Sequence, residues 1–127
     1  MNFYKIVSIA TSLLFICLAF QLIFTPDSFV SDMGLQPSLT SSVLARRTAM
    51  FMLGISVLMF ASRNLIHTGA RQIIAMATGA TLFGLSLMGS YEFINGTVNN
   101  SIFIAIGIET VLWISFGIIL LKNRNQK

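Results

Sequence analysis

Residues 6–24 read IVSIATSLLFICLAFQLIF, and this stretch decides the fold. No charge interrupts it; its polar members are small groups and Gln21. As a helix it would be about 28 Å long, enough for the hydrocarbon core of a bilayer. The run exceeds the apolar region of a secretory signal, and no small-residue cleavage site follows it. Ile16, which precedes Cys17, is too bulky for lipoprotein processing. A retained transmembrane helix is therefore expected.

Reading outward, Thr25-Pro26-Asp27 has the form of a helix start: Thr as N-cap, Pro in the first position and an acid in the first turn. Gly34 supplies a stop. Phe29, Val30 and Met33 share one side, so a short helix lying at the membrane surface is predicted. Pro37-Ser38 opens a second long helix, apolar over 44–61. Residues 62–71 form a polar connection. The third span covers 73–91, Asn95-Gly96 marks a turn, and the fourth span covers 102–121. Composition agrees. The chain has 127 residues, 55% hydrophobic and 9% charged, whereas soluble domains carry about 25% charge. The expected fold is all-α: one integral membrane domain, residues 1–127, built as a four-helix bundle with a short interfacial helix between spans 1 and 2.

The net charge of +4 would suggest nucleic acid in a soluble protein. Here the basic residues follow the ends of apolar runs, so the expected partner is the lipid bilayer, and no nucleic acid. Lys5, Arg63, Arg71, Lys122, Arg124 and Lys127 fall on one side of the membrane; Arg46 and Arg47 fall on the other, with Asp27, Asp32 and Glu92. Positive residues stay in the cytoplasm, which predicts both termini there in a multi-pass protein of a bacterial inner, or plasma, membrane.

Helix association in lipid depends on close backbone approach. Ala75 with Gly79, Ala80 with Gly84, and Gly54 with Ala61 are spaced to face other helices, within the chain or across a homo-oligomer. Cys17 is expected as a small buried packing residue. The chain has one His and one Cys, too few for a metal centre or haem. His67 reads as a solvated loop residue. The seven methionines are irregularly spaced and read as adaptable packing. No nucleophile elbow, phosphate loop or dinucleotide turn is present. No catalytic residue, cofactor or metal is expected.

Glu109 is the one acid deep within an apolar run. A charge there costs about 2.5–3.5 kcal/mol on insertion scales, so a proton or a partner should neutralise it. Arg47, which shares a helix face with Gly54 and Ala61, is the expected partner. Arg46 points about 100° away and is expected to snorkel outward. Glu109, Arg47 and Arg46 thus form the candidate intramembrane polar site, either as a structural ion pair or as a proton, ion or headgroup site.

Phe24-Thr25-Pro26 closing the first span, Arg46-Arg47 opening the second, the glycines of spans two and three and the four-span length together resemble a group of uncharacterised bacterial membrane proteins, a domain-of-unknown-function family related to DoxX-like proteins. The resemblance implies a four-helix membrane protein without a settled activity, and transfers no catalytic residue. Small multidrug transporters share the size, yet carry their membrane Glu in the first helix, where this chain has no acid. The function expected is a non-enzymatic accessory or scaffold acting through helix or lipid contacts, with a membrane-protein partner or a homo-oligomer. The rival is a proton- or ion-coupled small carrier working as an oligomer around Glu109.

Charge placement fixes a testable topology. A reporter active only outside the cytoplasm should work when fused after Asn95 and fail after His67 or Lys127. Activity at Lys127 would overturn the orientation, since the basic tail is its strongest determinant.

Overall fold

A computed structural model describes residues 2–66 and 69–124, the last two in backbone only. Among the described residues five helices follow one another: α1 Phe3–Phe24, α2 Pro26–Asp32, α3 Leu39–Ser62, α4 Gly69–Ile94 and α5 Ile102–Arg124. Four of them are long and apolar enough to cross a membrane, and the short α2 lies between the first two. The protein is an all-α, multi-pass membrane bundle.

Local chemistry sets the ends. Pro26 occupies the first turn of α2 with Asp27 beside it. Ser38 caps α3 through a capping box with Ser41, satisfying two donors that a helix start leaves open. Two helices end on a glycine in the left-handed region: Gly34 at φ +83° and Gly96 at φ +69°. After α2, Leu35 N–H bonds Val30 C=O (3.1 Å) and Gly34 N–H bonds Ser31 C=O (2.9 Å). After α4, Thr97 N–H bonds Glu92 C=O and Gly96 N–H bonds Phe93 C=O, both at 3.0 Å. Each is a Schellman closure, which only glycine enters without steric cost.

α1 packs along α3 and α4 along α5, while α1 meets α5 over a much shorter stretch. The buried face of α1 runs Tyr4, Val7, Ser8, Thr11, Ser12, Phe15, Ala19 and Leu22, the three-and-four spacing of one helical side. Ser12 and Ser56 form the tightest seam. Ser12 Oγ donates to Ser56 C=O at 2.9 Å, Ser56 Oγ donates to Ser12 C=O at 2.9 Å, and the hydroxyl oxygens lie 3.0 Å apart. Such reciprocity brings the two backbones to within one small side chain of each other. Near one end, the Tyr4 hydroxyl donates to Ser62 Oγ at 3.3 Å. Around this end all four long helices contribute to one core, with Phe15, Met59, Leu82 and Phe116 at its centre. Toward the α2 end the core narrows to Ala19, Leu22 and Ala49, with Phe29 of α2 packed on them.

The small residues face differently from expectation in part. Ala75 is buried, and a Cβ on Gly79 would meet Phe116 Cβ at 3.2 Å, so this pair seats α5 as predicted. Gly54, by contrast, has nothing within 4 Å of a Cβ position, and Ala61 is exposed. The packed side of α3 is Ser42, Ala49 and Ser56 with Met59. Position 54 lies about 160° around the helix from position 56, so the serine seam turns Gly54 and Ala61 outward. Ala80 is exposed and Gly84 likewise has no neighbour within 4 Å of a Cβ. Cys17 is also exposed, not buried; Phe15 and Ala19, each about 160° around the helix from it, take the core instead.

An interhelical hydrogen bond in a membrane protein contributes about 0.6 kcal/mol on average and up to about 1.7. Ser12→Ala and Ser56→Ala should each lower unfolding free energy within that range, and the double variant should lose less than the sum. Reversible unfolding in mixed micelles measures it; additive losses would mean the two serines do not act on each other.

Candidate membrane cleft around Glu109

The narrowing of the core toward the α2 end leaves space between α1 and the α4–α5 pair. Two adjoining lobes fill it, of about 300 and 540 Å³. Leu14, Leu18, Phe29, Met33, Ala105 and Glu109 line both. The smaller lobe opens between α1 and α5 past Gln21 and Ile108. The larger reaches into the bundle against Leu82, Met88 and Glu92.

α2 roofs this space, and three sets of contacts hold it there. The Ser42 hydroxyl of α3 donates to the Asp27 carboxylate. Asn99, in the α4–α5 connection, donates its backbone N–H to Met33 C=O and its side-chain amide to Asp32 C=O, both at 2.9 Å. A Cβ on Gly34 would meet Asn99 at 3.3 Å, so the connection presses directly on the end of α2. Phe29 and Met33, half-buried, turn inward from the roof, while Ser28 and Ser31 face out.

Glu109 is half-buried on α5, one turn beyond Ala105 on the cleft side. Among the described residues it forms no ion pair. Arg47 does not reach it. Both Arg46 and Arg47 are exposed on α3, and α3 shares no extended packing with α5. The expected partnership rested on the Gly54–Ala61 face being the packed one; position 47 lies about 160° around the helix from the buried Ala49, so it turns away with that face. The structure therefore separates the three predicted site residues and leaves Glu109 in the cleft without either arginine.

What joins Glu109 was missed in the sequence. Asp32 lines the smaller lobe and Glu92 the larger, each together with Glu109, and among the described residues no Lys or Arg lines either lobe. Their distance in sequence hid this; Gln21, the one large polar group in the first span, was the available signal. Chemically the cleft offers apolar walls for a hydrocarbon chain and carboxylate oxygens that accept hydrogen bonds or attract a cation. Among the described residues no group of three or more His, Cys, Asp or Glu is arranged to hold a metal ion. His67 lies outside the described residues. Comparison with protein-family models, with curated proteins and with solved structures finds no match to this chain.

Proposed function

We propose that the protein is a non-enzymatic accessory of a bacterial inner membrane that acts by holding an amphiphile in the Glu109 cleft. The observation that carries this reading is the pairing of a large apolar space with Glu109, a second acid in each lobe, and no lining Lys or Arg among the described residues. An alkyl chain fills such a space favourably, because van der Waals contact with Leu14, Leu18 and Leu82 replaces voids. A terminal ammonium or hydroxyl donor then satisfies Glu109, which would otherwise stand unpartnered where water is scarce. The ligand class is thus an amphiphile with an amine or hydroxyl head. The lateral opening between α1 and α5 lets it enter from the lipid phase.

The bacterial setting rests on the resemblance carried by Phe24-Thr25-Pro26 and Arg46-Arg47. The cytoplasmic placement of both termini rests on the six-against-two distribution of basic residues. A second reading, a proton- or ion-coupled carrier working as an oligomer, is favoured by the same unpaired Glu109, since a carboxylate without a fixed cation is free to exchange its counter-ion.

Dodecylammonium is a suitable probe for the full chain in phosphatidylcholine nanodiscs, read by native mass spectrometry. The wild type should bind it more tightly than dodecanol. Glu109→Gln should weaken ammonium binding by roughly tenfold or more, as expected for loss of one charge-assisted bond, while leaving dodecanol unchanged. Ala105→Trp, which puts an indole ring where the two lobes share a wall, should weaken binding of both probes, with melting temperature checking the fold. Equal binding by wild type and both variants would refute the proposal. Probe-dependent proton flux in proteoliposomes, lost in Glu109→Gln, would favour the carrier.

A further inference from the structure

Both lobes of the cleft are polar at two separate levels and apolar between them. In the smaller lobe, Gln21 near the end of α1, Asp32 at the end of α2 and Ser101 just before α5 stand at the α2 end. Glu109 lies about 10 Å deeper, measured along α5 from its first residue. Leu18, Ile104, Ala105 and Ile108 wall the stretch between. The larger lobe repeats the pattern. Glu92, in the last turn of α4, and Thr97 stand at its α2 end, and it reaches the same Glu109. Asn99 of that α4–α5 connection is bonded to α2, which keeps this acid at the rim.

We infer that the ligand of the cleft is a linear hydrocarbon chain with an ammonium group at each end, one held at Glu109 and the other at the rim by Asp32 or Glu92. The inference rests on the reading of the cleft as an amphiphile site; it adds a second head and fixes the spacing between the two.

The separation of the acids excludes one cation shared by all of them. Among the described residues no three His, Cys, Asp or Glu converge as a metal site would need. A rim acid and a floor acid joined by an apolar wall call for two charges joined by an apolar spacer. The chain's own cations do not compete for these positions. Lys5, Arg63 and Arg71 line a small cavity beyond Tyr4, at the other end of the bundle, and Arg46 and Arg47 are exposed on α3.

The rim also selects against other second heads. A phosphate or carboxylate there would meet Asp32 and Glu92 as like charges. A hydroxyl would gain a neutral donor's bond, whereas an ammonium gains a charge-assisted one. Gln21 and Ser101 are exposed, so the second ammonium keeps part of its water at the rim while the chain enters between α1 and α5. Only the head at Glu109 is withdrawn among apolar walls, where a carboxylate partner is required.

The test uses the full chain in phosphatidylcholine nanodiscs, read by native mass spectrometry. The probes are octylammonium, octanediammonium and butanediammonium. Comparing one probe across variants cancels its own partition into lipid. Extended octanediammonium spans about 11 Å between nitrogens, for bonds of about 1.5 Å and angles near 111°, and so reaches from floor to rim. Butanediammonium is too short, and its second charge falls among Leu18 and Ala105, so the wild type should bind it more weakly. Asp32→Asn/Glu92→Gln should weaken octanediammonium roughly fivefold or more beyond its effect on octylammonium, as expected for loss of one partly exposed ion pair. Glu109→Gln should weaken both eight-carbon probes. Melting temperature checks each variant's fold, and the comparison of chain lengths needs no variant. Rim substitutions that affect octanediammonium and octylammonium equally, or equal binding of the two diammonium chains, would overturn the two-headed ligand. Octylammonium binding that still depends on Glu109 would then leave the one-headed reading standing. Absence of Glu109-dependent binding by every probe would overturn both.

Discussion

The reciprocal bond between Ser12 and Ser56 is the contact on which the rest of the arrangement depends. In lipid, apolar side chains gain little by leaving the solvent, so helices are not driven together by their hydrophobic faces. What holds them is close approach and polar contacts across the seam. Each hydroxyl here bonds the backbone carbonyl of the facing residue, both at 2.9 Å, which fixes translation and rotation of α1 against α3 together. Once α1 is committed to α3, its opposite flank is left to α5, and that contact is short. The cleft is the remainder. Aromatic residues fill the Tyr4 end, whereas α2, pinned by Ser42 and Asn99, spans the other end without filling it.

Charge follows the same division. The cleft under α2 is lined by Asp32, Glu92 and Glu109, and the small cavity beyond Tyr4 by Lys5, Arg63 and Arg71. The Asp and Glu side chains of the cleft and the Lys and Arg side chains of the small cavity are thus kept at opposite ends of the bundle. A bundle stabilised by buried pairs would join them. Keeping them apart leaves the cleft with acids and, among the described residues, no lining Lys or Arg.

The sequence made the elements legible because their signals are local. Apolar runs gave the spans, Pro26 and Ser38 the helix starts, and Gly34 and Gly96 the stops. Which face of each helix packs was only half legible. In water a polar stripe marks the outside; here Phe51, Val57 and Leu58 face outward on α3 as freely as Met59 faces inward. Small size was the remaining signal, and Ser42, Ala49 and Ser56 are as suited to close approach as Gly54 and Ala61. Choosing the second set carried Arg47 inward with it and led to the expected pair with Glu109. Cys17 was misplaced for the same reason. Glu109 itself was legible as an isolated acid. Its cleft was not, since Asp32 and Glu92 come from an α2 roof and a distant helix end that only the tertiary fold brings together.

The central claim is that the α1–α3 seam is fixed and that ligand access lies on the α5 side. A disulfide at the seam tests both halves at once. In a Cys17→Ser background, the hydroxyl oxygens of Ser12 and Ser56, 3.0 Å apart, are close enough for the S12C/S56C variant to form an S–S bond of about 2.05 Å with little movement. The measurement is dodecylammonium affinity of the oxidised variant in nanodiscs. The account predicts near-complete disulfide formation and an affinity equal to that of the reduced protein. Failure of the bond to form, or loss of binding when it does, would contradict it.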